Sequence, residues 1–170
     1  MVTGNEAVQR STPAPSASAT AGWTVDPGDV TDAELEAVVA ANPEVVGMRL
    51  ALADRYQNEG RFDLAAVHYR RVLEQEPDNP DANAHLGWIL LNLDLPQEAA
   101  ARVDRARAAN PQLLDAMWFQ ANIRLYGLND PRGAVQVLDE MAARTDLTPQ
   151  VRRQVIELRQ AAAERTDGTR

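Results

Sequence analysis

Apolar residues along this chain recur three and four residues apart, the spacing that gathers them on one side of a helix. Over 62–76 they fall at Phe62, Ala65, Ala66, Tyr69, Val72 and Leu73, which predicts a helix. A helix is also expected ahead of it, carrying Val45, Leu52 and Tyr56. Pro43 suits its first position, where a missing N–H is not needed and φ is already helical. Asn58-Glu59-Gly60 supplies the stop, with Gly60 able to take the left-handed conformation that follows many helices. Thr31-Asp32-Ala33-Glu34 reads as a capping box opening a short helix, with Leu35, Val38 and Val39 on one face and an end at Asn42-Pro43. At the other end Thr148-Pro149 opens a last helix. Val151, Val155, Leu158 and Ala162 form its apolar stripe, with arginines and glutamines opposite.

The pattern repeats. Pro43, Pro77 and Pro111 are spaced 34 residues apart, and NPEVVGMRLALADRYQNEGRFDLAAVHYRRVLEQEPDN aligns without gaps on NPDANAHLGWILLNLDLPQEAAARVDRARAANPQL. Leu52-Ala53 falls over Leu86-Gly87, Tyr56 over Leu90, Ala65 over Ala99, Tyr69 over Val103 and Val72 over Ala106. A third copy from Asn110 places Ala121 over Gly87. After one inserted residue it places Ala134 over Ala99, Leu138 over Val103 and Met141 over Ala106. The small residues Ala53, Gly87 and Ala121, with Ala65, Ala99 and Ala134, fall where paired helices approach closely. A stack of such pairs needs a capping element at each end. Eight helices are expected: one leading, three pairs and one closing.

These residues resemble the tetratricopeptide repeat (TPR) family. Residues 46–79 match its pattern best, with Leu52, Ala53, Tyr56, Gly60, Phe62, Ala65, Tyr69, Leu73 and Pro77. Residues 80–113 keep Leu86-Gly87, Ala99 and Pro111 but have Asp94 where Gly60 stood. Residues 114–148 depart furthest, with the insertion near Asn129-Asp130-Pro131, Arg124 in place of Tyr56 and Leu90, and no closing proline. Arg49 and Asn83 replace the aromatic often found early in the first helix. The resemblance implies an all-α superhelical solenoid. Its divisions are a disordered tether over 1–30 and a repeat domain over 31–170. That domain comprises a leading helix 31–42, repeats 43–79, 80–113 and 114–148, and a capping helix 149–166.

Composition changes this picture mainly by exclusion. The 170 residues include 29 alanines, 17 arginines, no lysine and no cysteine. The missing cysteine removes disulfides, thiolate metal sites and thiol nucleophiles, and lysine-free, alanine- and arginine-rich usage suggests a GC-rich genome. A net charge of −8 argues against nucleic-acid binding, which needs a positive face. Residues 1–48 hold seven acids and one base, whereas 144–170 hold four acids and six arginines, an acidic front and a basic rear. Residues 1–22 lack the central apolar run of a signal peptide, and no stretch approaches the ~20 apolar residues of a membrane span. Ser11 to Gly22 is all Ser, Thr, Pro, Ala and Gly, the composition of a tether, whose membrane anchor is expected to lie outside this chain.

Catalytic inventory is thin. Every serine (Ser11, Ser16, Ser18) lies in the tether, His68 and His85 fall on different helices, and no H-E-x-x-H or Gly-rich phosphate loop is present. No metal site and no cofactor are expected, and the reading is of a chain that is not an enzyme. In TPR-like solenoids the first helix of each pair lines a concave groove where partners bind. The matching positions are Leu50, Asp54 and Gln57; Asp81, Ala84, Trp88, Leu91 and Asn92; and Asp115, Trp118, Phe119, Asn122 and Leu125. Trp88 and Trp118 are expected as neighbours on adjacent helices, and large groove aromatics make binding hot spots. Asn92 and Asn122 are expected to hold a peptide backbone, since amides both donate and accept. The alternatives are a tryptophan in the core and a groove filled by Trp23-Thr24-Val25.

The function implied is a protein-interaction scaffold that receives a partner peptide or helix. The order of tether, acidic helix, three repeats and the text WFQANIRLYGLNDPRGAV is also similar to bacterial TPR proteins of c-type cytochrome biogenesis. That similarity implies apocytochrome, or another assembly factor, as partner and an extracytoplasmic domain on a membrane anchor. A cytoplasmic scaffold is the alternative to an anchored one. A self-associating homo-oligomer and an accessory domain of an enzyme complex are the alternatives to peptide capture.

Overall fold

The computed structural model describes residues 30–167. They form eight α-helices and no strand among the described residues: α1 (Asp32–Ala41), α2 (Val46–Asn58), α3 (Phe62–Gln75), α4 (Pro80–Asn92), α5 (Pro96–Ala109), α6 (Leu114–Asn122), α7 (Pro131–Ala142) and α8 (Pro149–Asp167). A π-helical turn, Ile123–Gly127, extends α6. Helices α2/α3, α4/α5 and α6/α7 are the three pairs, so the all-α solenoid expected from the period is what the chain adopts. The tether over 1–30 falls, apart from Val30, outside the described residues.

Local chemistry sets each helix start. Thr31 and Glu34 form the reciprocal capping box of α1. Asn79 caps α4, its side chain accepting from the Ala82 N–H at 3.0 Å. Pro80, Pro96, Pro131 and Pro149 occupy first-turn positions, where proline loses no hydrogen bond. Pro43 does not open a helix as expected: α2 begins at Val46. Pro43, Pro77 and Pro111 instead sit in one recurrent turn between pairs, closed by Val45 N–H to Asn42 O, Asn79 N–H to Glu76 O and Leu113 N–H to Asn110 O at 3.0–3.2 Å. Val45 therefore precedes α2 and stays exposed instead of belonging to its apolar stripe.

The turn inside each pair needs a left-handed residue. Gly60, Asp94 and Asn129 supply it, with φ of 76°, 58° and 52°. Their spacing is 34 and then 35 residues, so the extra residue of the third repeat lies before Asn129 and not in the Asn129-Asp130-Pro131 segment. The π turn absorbs it. Arg61 and Leu95 donate back to Tyr56 and Leu90, five residues earlier, whereas Asp130 donates to Arg124, six earlier. Asp130 then caps α7 by accepting from the Gly133 N–H at 2.9 Å and from Arg124 Nη1 at 3.1 Å. Asp130→Ala removes both bonds and is expected to lower stability by about 1–2 kcal/mol in urea denaturation; an unchanged midpoint would show that the cap contributes nothing.

Packing follows the small-residue seam. Ala53, Ala65, Ala99, Ala121 and Ala134 are fully buried. A Cβ on Gly87 would stand 2.6 Å from Val103 Cγ2 and 3.0 Å from the Ala99 carbonyl oxygen, so α4 and α5 approach too closely for a side chain there. One core holds Leu52, Tyr56, Tyr69, Val72 and Ile89 between α2, α3 and α4. A second runs from α4 to α8, where Val151, Val155, Leu158 and Ala162 seal the last pair.

Candidate functional site

The first helices of the pairs bring most of the sequence-derived groove positions into one continuous line. On α2, Leu50 and Asp54 are half-buried and Gln57 is buried. On α4, Ala84, Trp88 and Leu91 are buried, with Asp81 and Asn92 half-buried. On α6, Trp118, Phe119 and Asn122 are buried and Asp115 half-buried, while Leu125 is buried in the π turn. Helical spacing placed them on one side, but packing between successive pairs has taken the larger ones out of solvent.

Contacts run across that line from one repeat to the next. Tyr69, from α3, donates to Asp54 Oδ1 at 2.6 Å. Burial, then the Asp54 carboxylate, raises its phenol pKa, so it stays a donor. The Tyr69 ring stacks on His85 at 5.5 Å, and His85 meets the edge of Phe119 at 5.3 Å. Gln57 Nε2 lies 2.9 Å from His85 Nδ1, and His85 Nε2 lies 3.7 Å from Asp115 Oδ2. His85 thus touches all three repeats. Phe119 stacks on Trp88 at 5.0 Å. The aromatic neighbour of Trp88 is therefore Phe119, not the expected Trp118, which lies in the core with its indole N–H unpartnered.

The line ends in a cavity of about 340 Å³. Trp88, Leu91 and Asn122 from the first helices line it together with Asp94, Pro96, Tyr126, Gly127 and Arg165. A Cβ on Gly127 would come within 2.8 Å of Leu91 Cδ1 and Pro96 Cβ, so a side chain there would crowd the wall. The Arg165 guanidinium sits 4.9 Å from the Tyr126 ring centroid, a cation–π contact. Leu93, Leu95, Tyr126 and Leu128 are exposed in and beside the turns that join α4 to α5 and α6 to α7. Apolar walls with a few polar groups are the usual make-up of a binding cavity.

Two expectations change here. Asn92 and Asn122 each spend an amide N–H on their own helix, bonding the Trp88 and Trp118 carbonyls at 2.8 and 2.9 Å. Both tryptophans are also about 95% buried (relative exposures 5% and 4%), so neither is a freely exposed groove aromatic. Sequence reasoning missed Tyr69, Asp94, Pro96, Tyr126, Gly127 and Arg165. The alignment of Asp94 with Gly60 was a usable signal for the turn; Arg165 carried none, since its place depends on how α8 packs back.

Comparison with known proteins agrees with the fold. Residues 56–123 match the family model described as Tetratricopeptide repeat. No curated protein matches the sequence. Among solved structures, the first TPR of Spaghetti (RPAP3) bound to HSP90 peptide SRMEEVD is 17% identical, with a TM-score of 0.60 over 71% of this chain and 97% of that one. The TPR2B domain of yeast Sti1, solved as a pHsp70 complex, is 16% identical, with a TM-score of 0.62 over 70% of this chain and 96% of that one. MamA is 16% identical, with a TM-score of 0.60 over 81% and 88%. The described chain has the fold of tetratricopeptide-repeat structures, and its residues 56–123 match that family's model.

Proposed function

We propose that this chain is a non-catalytic protein-interaction scaffold whose first-helix line receives a peptide or helical segment of a partner. The observation that carries this reading is the cavity at its end, where Trp88, Leu91 and Asn122 meet Pro96, Tyr126 and Arg165. Its apolar wall suits one large apolar side chain, and Arg165 and Asp94 at the rim suit polar flanks. Two similar folds were solved with bound peptides or partners, which supports the same use of this surface.

The finer reading makes the partner an apocytochrome or another assembly factor of c-type cytochrome maturation, with the domain outside the cytoplasm on a membrane anchor. Its support is the similarity of the WFQANIRLYGLNDPRGAV segment, whose residues supply Trp118, Phe119, Asn122 and Tyr126 to the site and its core. Titration of apocytochrome segments, with scrambled versions as controls, separates the two levels. Quenching or enhancement of tryptophan fluorescence by the apocytochrome segments alone supports the finer reading. Binding of other display-selected peptides at the cavity, with no response to apocytochrome, retains the scaffold and removes the pathway. No peptide binding at the cavity removes both.

A further inference from the structure

The chain enters the solenoid on the edge where the cavity opens. Arg55, in the last turn of α2, donates from Nη1 to the Val30 carbonyl at 2.7 Å, and its Nε lies 2.9 Å from Asp32 Oδ1. Val30 is thereby held at the C-terminal end of α2. The cavity lies at the C-terminal ends of α4 and of the π turn that extends α6, where Leu91, Asp94, Tyr126 and Gly127 line it. Successive first helices are neighbours: Gln57 of α2 meets His85 of α4, and Phe119 of α6 stacks on Trp88 of α4. One to two helix spacings, about 10–20 Å, therefore separate Val30 from the cavity.

Trp23 lies outside the described residues, seven positions before Val30. Seven residues span up to about 23 Å, which covers that distance, and Pro27-Gly28 between them is a pair that favours a turn. Trp23 is the single aromatic among residues 1–29, and from Arg10 to Asp29 the only other large apolar residue is Val25. On the folded domain, Leu93 and Leu95 are 57% and 41% exposed in the α4–α5 turn, beside the cavity residues Asp94 and Pro96.

We propose that the chain's own Trp23-Thr24-Val25 segment seats the Trp23 indole in the cavity, against Trp88, Leu91 and Tyr126, with Val25 over the Leu93-Leu95 turn, and that a partner must displace it. The proposal rests on the reading of the cavity as the partner site. A linker this short presents the indole at an effective concentration of about 1 mM. A contact with a Kd of about 0.1 mM between separate molecules is then about 90% closed, and a competing partner binds about ten-fold more weakly than to an open cavity. The segment thus favours partners that add contacts along the first-helix line over those with one apolar anchor.

Chemical shifts of the isotope-labelled full chain, as wild type and as Trp23→Ala, test this. Trp23→Ala is expected to keep the helical signal and to move the Gly127 amide, the Trp88 indole and the Leu91 methyls. The synthetic segment GWTVDPGD, added in trans, is expected to bind Trp23→Ala with a Kd of about 0.1 mM, returning those signals towards wild type. It should bind wild type about ten-fold more weakly, and a scrambled segment should bind neither. Cavity signals identical in wild type and Trp23→Ala, no saturable response of Trp23→Ala to the segment, or an equal response of the two proteins would each overturn the proposal. A display-selected peptide that still bound Trp23→Ala at the cavity would in that case leave the scaffold reading standing. If the segment binds as expected and no display-selected peptide binds Trp23→Ala at the cavity, the self-contact holds and the scaffold reading fails.

Discussion

Gly87→Val is expected to lower stability by about 3 kcal/mol, toward the upper end of what overpacking costs. For a domain of this size that is a fall of about 10 °C in melting temperature. The reason is steric: the first carbon of the new side chain would already stand 2.6 Å from Val103 and 3.0 Å from the Ala99 carbonyl. The two further methyl groups have no space unless α5 moves. Gly87→Ala is the informative partner. It sets the same Cβ against Val103 and the Ala99 carbonyl, offset by about 1 kcal/mol of helix propensity, so it should lose about 1–2 kcal/mol, less than valine. Urea denaturation measures both; a valine variant as stable as the alanine variant would mean that α4 and α5 are not held at this separation.

Trp88→Ala should carry a double loss. The ring is 5% exposed and stacks on Phe119, so truncation is expected to lower stability by about 3 kcal/mol. It also strips the cavity wall, which should weaken a bound peptide by about 2 kcal/mol or roughly 30-fold. Trp118→Ala separates the two effects. Trp118 is equally buried but does not line the cavity, so it should lose comparable stability while changing affinity by less than about threefold. Binding is read at a temperature where both variants remain folded. Equal affinity losses in the two would place the peptide elsewhere.

The parts of this fold legible in the sequence are those fixed by neighbours along the chain. The capping box at Thr31, the left-handed glycine at position 60, the seam of Ala53, Gly87 and Ala121, and the apolar stripe of α8 each follow from short spacings. Features set by packing between repeats were misread or missed. Pro43 satisfies the rule for a helix start, yet the turn between pairs claims it. One inserted residue shows in the alignment as an offset, but only backbone hydrogen bonding decides that it widens α6 and not the following loop. Helical spacing correctly put Trp88, Trp118 and Phe119 on neighbouring helices. Which ring stacks on which depends on the rotation of α6 against α4, to which one helix's periodicity is blind. Arg165 reaches the cavity only because α8 runs back along the last pair, a contact some 40 residues from Leu125 in sequence.

The most direct test of the binding surface is chemical-shift mapping of a display-selected peptide on isotope-labelled protein. The largest changes are expected at the Trp88 indole, the Leu91 methyls, the Asn122 side chain and the Gly127 amide, the residues that meet at the cavity. Saturable changes confined instead to the exposed faces of α3, α5 and α7, with the cavity signals unmoved, would contradict the account.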